Sequence, residues 1–249
     1  MLSGESTAVG VRMRNFFRRI PSAPHCKLCE APMAGPGQFV LGPLGFRRWA
    51  KSPRFCQSCS KFLGRLGVGG AEIEISVLFA DLRDSTSLAE KMSPTTFGSL
   101  IARFYEVIDA QIAEAQGIVD KHLGDGVMGL FIPLYAGAEH AARALAAARG
   151  IIARTTEDGQ RWAPVGVGVV TGVAYVGVTS SSDEPDDFTA LGDVVNTASR
   201  LAGAAAAGEI LLSPETAAGA DVDAGDFERR SLTLKGKEAA YEALAIRPG

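Results

Sequence analysis

An α+β fold of the ferredoxin-like, palm-type sandwich with a small cysteine module in front of it is predicted for this 249-residue chain by three observations. From residue 71 onward, strand-like and helix-like segments follow one another in the order β-α-β-β-α-β. Turn and helix-start signals fall between these segments rather than inside them. All four cysteines lie ahead of this region, in two C-x-x-C pairs, Cys26/Cys29 and Cys56/Cys59.

Taken in order, residues 1–24 form a basic segment in which residues 9–20 mix arginines with large apolar side chains. Such a stretch either packs as an N-terminal helix or lies on an anionic membrane surface. Residues 25–63 form a zinc-ribbon-like module. Two C-x-x-C knuckles deliver the four soft ligands that a tetrahedral Zn²⁺ takes, so Cys26, Cys29, Cys56 and Cys59 are the expected ligands. The alternative is two dithiol pairs with a redox or packing role. His25 adjoins Cys26 but is surplus to a four-thiolate shell. The 26 residues between the knuckles carry turn signals at Gly35-Pro-Gly37 and Gly42-Pro-Leu-Gly45. Residues 64–71 are Gly-rich and read as a linker, leaving 72–249 as the main domain.

Within that domain, alternation of Ile73, Ile75, Val77 and Phe79 predicts a strand with one buried face, ending at Asp81. The backbone after it opens a short helix. Ser93-Pro94 starts a longer one, since Pro suits the first helical position, and it runs to about Gln116 with Gly117 as its C-cap. Strands over 118–123 and 127–132 flank Gly124-Asp125-Gly126, a hairpin-turn signal. An Ala-rich helix covers roughly 136–156, and two strands cover 164–170 and 173–178. An acidic loop, 180–187, precedes a helix over 192–205, and short elements finish the chain.

Charge separates the two parts. Residues 1–70 carry 11 bases and two acids, a balance of +9, whereas the remainder stands at −12, together giving the −3 of the chain. The basic part is a solvated face, a surface packed on the acidic domain, or a contact to nucleic acid or membrane. Arg47, Arg48, Lys51 and Arg54 form no pattern that reads bases specifically. There is no run of about eighteen apolar residues and no signal-peptide core, so a cytoplasmic location is expected.

Three stretches carry chemistry: Phe79-Ala-Asp81, Lys121-x-x-Gly-Asp125 and Gly192-Asp-x-Val-Asn196-x-x-x-Arg200. Asp81 and Asp125 stand at a strand end and in a neighbouring hairpin, where two carboxylates can share divalent ions. Asn196 and Arg200 are four residues apart, hence on one helical face. The amides of Leu82, Arg83 and the residues after them, at the start of a short helix, are candidates for cradling phosphate.

In the order and spacing of these three motifs the chain resembles the class III nucleotidyl cyclases, over about residues 72–246. The resemblance implies two Mg²⁺ or Mn²⁺ ions on Asp81 and Asp125, and ATP as substrate. Asn196 would orient the ribose, Arg200 would stabilise charge at the α-phosphate, and Lys235 would bind the triphosphate. Base choice would rest on Lys121 and Thr189. A lysine only donates and so suits adenine N1, an acceptor; Thr189 stands where many adenylate cyclases carry Asp, and a hydroxyl discriminates less. The site in that family forms between two protomers, and this chain holds both halves, which implies a symmetric homodimer. The reading is therefore an adenylate cyclase. The alternatives are a guanylate or dual-specificity cyclase, a non-catalytic nucleotide sensor, and a zinc-dependent DNA-binding regulator.

Overall fold

The structure, a computed structural model, describes residues 7–48, 55–59, 61, 70–157, 159–179, 187–234 and 239–248. Strand β1 (Gly70–Leu82) is the axis of the fold. It pairs antiparallel with β3 (Gly126–Phe131) on one side and with β6 (Val165–Thr179) on the other. With β2 (Ile118–His122) next to β3, the sheet order β2-β3-β1-β6 is that of the ferredoxin-like sandwich. The sheet extends past β6 through β8 (Glu209–Leu212), β10 (Tyr241–Ile246) and β9 (Glu228–Leu232), and β7 (Asp187–Leu191) also pairs with β6. A separate two-stranded ribbon joins β4 (Thr156–Glu157) to β5 (Gln160–Arg161). The expected strands over 164–170 and 173–178 are one continuous strand. Gly172 sits in register opposite Ile75, and its missing side chain does not interrupt pairing on a strand held along its length by β1.

Among the helices described are α1 (Thr7–Arg18), α2 (Gly35–Leu41), α3 (Ser85–Lys91), α4 (Pro94–Glu114), α5 (Pro133–Ala136), α6 (His140–Arg154), α7 (Asp193–Ala204) and α8 (Pro214–Gly219). Ser93 caps α4, its hydroxyl accepting from Thr96 N–H at 3.2 Å, with Pro94 in the first turn. The expected C-cap shifts by one residue. Gln116, not Gly117, takes the left-handed conformation (φ 63°), and the Gly117 N–H returns to Ile112 O at 2.8 Å. The expected helix over 136–156 is broken into α5, a short 3₁₀ turn and α6, because Pro133 starts one helix and Gly137 (φ 69°) ends it.

The two faces of the sheet are both covered, so β1 is buried on both sides rather than one. Leu78, Ala80 and Leu82 pack with Phe104, Ile108 and Ile112 of α4 and Leu145 and Ile151 of α6. Ile75, Val77 and Phe79 point the other way. They share a core with α7 and with Phe17, Leu28, Met33 and Phe55 of the N-terminal part. Each such fully buried aliphatic or aromatic side chain contributes roughly 1.5–3 kcal/mol. Thus the cysteine module is not a bead on a string; its core is continuous with that of the sheet.

The basic segment is likewise docked. Arg14, only 3% exposed, donates to Gln116 O at 3.2 Å and to Gly117 O at 2.5 Å, and pairs with Glu30 at 3.2 Å. Its guanidinium lies 4.9 Å from the Tyr135 ring centroid, and Arg18 donates to Ala113 O. These arginines satisfy carbonyls at the C-terminal end of α4, where a cation is favoured by the helix dipole. No helix among the described residues is long and apolar enough to cross a membrane.

Candidate active site

Asp81 and Asp125 come together through the sheet register. Asp81 lies opposite Gly126, the residue after Asp125, and the Leu82 N–H donates to Asp125 O at 2.8 Å. The hairpin that presents Asp125 is braced from α4. Tyr105 donates its hydroxyl to Gly124 O and stacks on His122 at 4.2 Å, and His122 Nε2 lies 3.0 Å from Asp109 Oδ1. Burial raises the Asp109 carboxyl, while the His122 contact pulls it back down.

Both acids have donors in contact. Arg83 pairs with Asp81, and Ser85 donates to Asp125. Arg83 also donates to Gly203 O of α7 at 2.7 Å. This guanidinium therefore ties Asp81 to the helix that carries Asn196 and Arg200. Its burial holds the Arg83 pKa below the usual range, against the pull of Asp125 and Asp84. The expected phosphate cradle is corrected at its first two amides. Leu82 N–H is committed to Asp125 O and Arg83 N–H to Pro164 O at 2.7 Å. Neither is open to phosphate, because both hold the loops that frame the acids. The first helical bond of α3 runs from Leu88 N–H to Asp84 O, so the amides that α3 leaves without an intrahelical partner are those of residues 85–87.

Asn196 and Arg200 share one face of α7, Asn196 exposed and Arg200 half-buried. The helix lies unusually close to β6. A Cβ at Gly168 would come 2.3 Å from Ala198 O and 2.4 Å from Ala202 N, so only glycine permits this approach. Lys235 lies outside the described residues, as do the linker 64–69 and residues 180–186 of the acidic loop.

Lys121 and Thr189 are brought together by a residue absent from the sequence argument, Asp120. Pairing of β2 with β3 runs Val119↔Gly129 and then Lys121↔Met128, so Asp120 is the extra residue of a β-bulge. Its side chain has no exposed surface. It accepts from Thr189 Oγ1 at 2.7 Å and from Lys27 Nζ at 2.8 Å, with Lys121 Nζ at 3.3 Å. Lys27 also donates to Phe188 O at 2.9 Å. Adjacency to Lys121 was the one sequence signal for Asp120; nothing in sequence pointed to Lys27. A cleft of about 620 Å³ opens beside this corner, lined by His25, Lys27, Asp109, Asp120 and Lys121 among others.

Cys26, Cys29, Cys56 and Cys59 converge with all four sulfurs within 4.8 Å of one another. The first knuckle is shaped by Cys26 N–H on Ala31 O and Glu30 N–H on Cys26 O, both 2.9 Å. Backbone N–H groups reach Cys26 Sγ (from Cys56, 3.3 Å) and Cys56 Sγ (from Cys59, 3.4 Å), an arrangement that favours thiolate. Hydrogen bonds from the other three cysteines hold the Cys26 thiol far below its usual range. The same contacts push Cys29 and Cys59 far up. Cys56 is also held below its usual range, so the four crowded sulfurs divide into two that favour thiolate and two that resist it without a cation between them, which is the donor set of a structural metal site. His25 Nε2 instead lies 3.2 Å from Ile20 O.

The fold and these paired acids define a class III nucleotidyl cyclase. Residues 71–243 match the family described as adenylate and guanylate cyclase catalytic domain, and the chain belongs to that family. An adenylate cyclase of Anabaena cylindrica is 32% identical over 143 residues, covering 55% of this chain and 28% of that protein. Adenylate cyclase 1 of Rhizobium meliloti is 27% identical over 137 residues, covering 52% of this chain and 20% of that protein. In both cases the match spans less than a third of the relative's length. Among solved structures, the adenylyl cyclase CyaB from P. aeruginosa is 25% identical with a TM-score of 0.60, covering 72% of this chain and 96% of that one. The guanylyl cyclase Cya2 shares the fold at a TM-score of 0.60 and 24% identity, covering 71% of this chain and 93% of that one.

Proposed function

We propose that the chain is an adenylate cyclase that works as a homodimer and converts ATP to 3′,5′-cyclic AMP and pyrophosphate. The observation that carries this reading is the register that sets Asp81 beside Asp125 at one end of β1 and β3, with α7 tied to the same corner through Arg83. Two carboxylates fit hard divalent cations. The donors now on them, Arg83 and Ser85, show that the corner attracts positive charge and hydrogen-bond donors. Bound there, Mg²⁺ or Mn²⁺ supplies Lewis-acid stabilisation of the 3′-oxygen and of the triphosphate. The 3′-oxygen attacks the α-phosphorus in line, and the bond from that phosphorus to the bridging oxygen breaks to release pyrophosphate. Lys121 donates to adenine N1, Asn196 orients the ribose, Arg200 offsets charge at the α-phosphate, and Lys235 holds the triphosphate.

Each protomer carries the acids and the α7 pair, so a head-to-tail dimer builds two equivalent sites. The four cysteines hold one Zn²⁺ that shapes the N-terminal module. A second reading, dual use of ATP and GTP, is favoured by one contact. Thr189 is 3% exposed and its hydroxyl already donates to Asp120, so a base meets little of it and discrimination falls to Lys121.

The test is product formation with Mn²⁺ from ATP and from GTP, with Asp81→Ala as control. Cyclic AMP lost in the variant supports the enzyme; comparable cyclic GMP supports the second reading. Asp81→Ala and Arg200→Ala, each inactive alone, should regain activity when mixed, since a heterodimer rebuilds one site from intact halves. No recovery despite proven subunit exchange refutes the shared site.

A further inference from the structure

The first cysteine knuckle reaches directly into the corner that carries the base-reading residues. Lys27 sits between Cys26 and Cys29, and its side chain is 7% exposed. Its ammonium bridges Asp120 Oδ1 at 2.8 Å and Phe188 O at 2.9 Å, so it touches the bulge on β2 and the residue before Thr189 on β7. Asp120, wholly buried, passes the contact on to Thr189 and Lys121. A buried carboxylate is tolerable only with charged and hydrogen-bonded partners. Without Lys27, Asp120 keeps Lys121 alone as its counter-ion. The Lys121 ammonium, already 3.3 Å from Asp120, is then held there as its counter-ion and kept from a base. The knuckle carries Lys27 to this corner on the loop between Cys26 and Cys29, whose shape is set by the converging sulfurs together with the hydrogen bonds of Cys26 N–H to Ala31 O and Glu30 N–H to Cys26 O.

We infer that Lys27 is a positioning residue for nucleotide recognition. It neutralises Asp120, which holds Thr189 and lies 3.3 Å from Lys121, so that the Lys121 ammonium can turn to the base, and it makes the state of the four-cysteine centre a determinant of nucleotide affinity and choice. The inference rests on the cyclase reading above. It assigns to the N-terminal module a task inside the substrate site, distinct from holding that module folded. The cysteine centre sits upstream of the pocket in this arrangement. A thiol oxidant then acts on base recognition, leaving Asp81, Asp125 and Arg200 in place.

The experiment uses the full-length protein with its metal content measured, comparing Lys27→Met, Lys27→Arg, Asp120→Asn and the double variant Lys27→Met/Asp120→Asn. Steady-state rates are taken with ATP and GTP in Mn²⁺, and binding of a fluorescent ATP analogue is measured in parallel. Lys27→Met is expected to raise KM for ATP about tenfold, the size of one lost charged hydrogen bond, and to narrow the ATP-to-GTP ratio by a similar factor. Its kcat should stay within about threefold, because no group on the reacting atoms has changed. Lys27→Arg should restore most of the KM. The double variant removes the buried charge that would capture Lys121, so it should be stable and recover most of the KM and selectivity lost in Lys27→Met, a rescue that a purely structural role of Lys27 would not produce. It also keeps the test valid where Lys27→Met alone does not fold. Unchanged KM and ATP-to-GTP ratio in a folded Lys27→Met, or no recovery in the double variant, overturn the inference. If the wild-type chain forms no cyclic nucleotide, the cyclase reading fails instead, and analogue binding decides here: weaker binding by Lys27→Met that the double variant recovers supports the role of Lys27, equal binding by Lys27→Met overturns it.

Discussion

Replacing Arg14 with Met tests whether the N-terminal helix is part of the catalytic body. Met keeps much of the aliphatic stem but removes two hydrogen bonds to the carbonyls of Gln116 and Gly117 just past α4, at 3.2 and 2.5 Å, and the 3.2 Å pair with Glu30. Hydrogen bonds from a charged donor are worth roughly 1.5–3 kcal/mol each, and these two share one donor group, so they do not add fully. A loss of about 3 kcal/mol is expected, which for a chain of this length lowers Tm by roughly 6–12 °C. The assay is urea unfolding with thermal melting alongside it. The midpoint should fall with little change in slope, because the surface exposed on unfolding is nearly the same. Arg14→Lys, which keeps the charge but reaches fewer carbonyls, should lose about half as much. A change under about 0.5 kcal/mol for Arg14→Met, the range of an ordinary surface substitution, refutes the docking and returns the basic segment to solvent or membrane.

Other expectations follow from the same contacts. Gly168→Ala puts a methyl 2.3 Å from Ala198 O, so α7 must move; stability should drop by roughly 1–3 kcal/mol, and cyclase activity by tenfold or more, because Asn196 and Arg200 ride on that helix. A stable, fully active variant would show that α7 is not held by this approach. Tyr105→Phe frees Gly124 O from its donor, so the Asp125 hairpin should loosen and the Mn²⁺ concentration for half-maximal rate should rise a few-fold, with ATP affinity steady. Burial resists ionisation of Glu209, but the hydrogen bonds from Arg230, helped by Ala206 N–H and Arg247, outweigh it and hold the carboxyl below its usual range. Its folded pKa thus lies below the unfolded one, so the stability it adds is present above about pH 4.5 and is lost as pH falls through the folded value. The stability gap between wild type and Glu209→Gln, measured by urea unfolding, should therefore be widest near neutrality and shrink on acidification towards pH 3. A gap that stays constant with pH would mean that the Arg230 pair contributes no linkage.

Much of the site was legible because short motifs state their own chemistry. Phe79-Ala-Asp81 puts an acid at the end of an apolar strand, Gly124-Asp125-Gly126 puts another in a hairpin turn, and Asn196 and Arg200 share a helix face at any tertiary packing. The two C-x-x-C pairs announced a four-sulfur centre in the same way. These are local facts of spacing, and the core order β-α-β-β-α-β followed from periodicity and turn residues alone.

What tertiary structure decided depends on residues far apart in sequence. Whether β1 is buried on one face or two is settled by what lands on Ile75, Val77 and Phe79, and that is α7 with the core it shares with the N-terminal part. Gly117 and Gln116 are both open to a left-handed cap by chain chemistry; packing against Ile112 and Phe131 assigns the turn to Gln116. The amides of Leu82 and Arg83 looked open and are spent on Asp125 and Pro164. The Lys27–Asp120 pair spans 93 positions, and its partner Thr189 lies 69 beyond Asp120. Neither pattern nor spacing encodes such a contact. It exists because a bulge turns one carboxylate into the core, where it has to be neutralised by whichever cation the fold brings within reach.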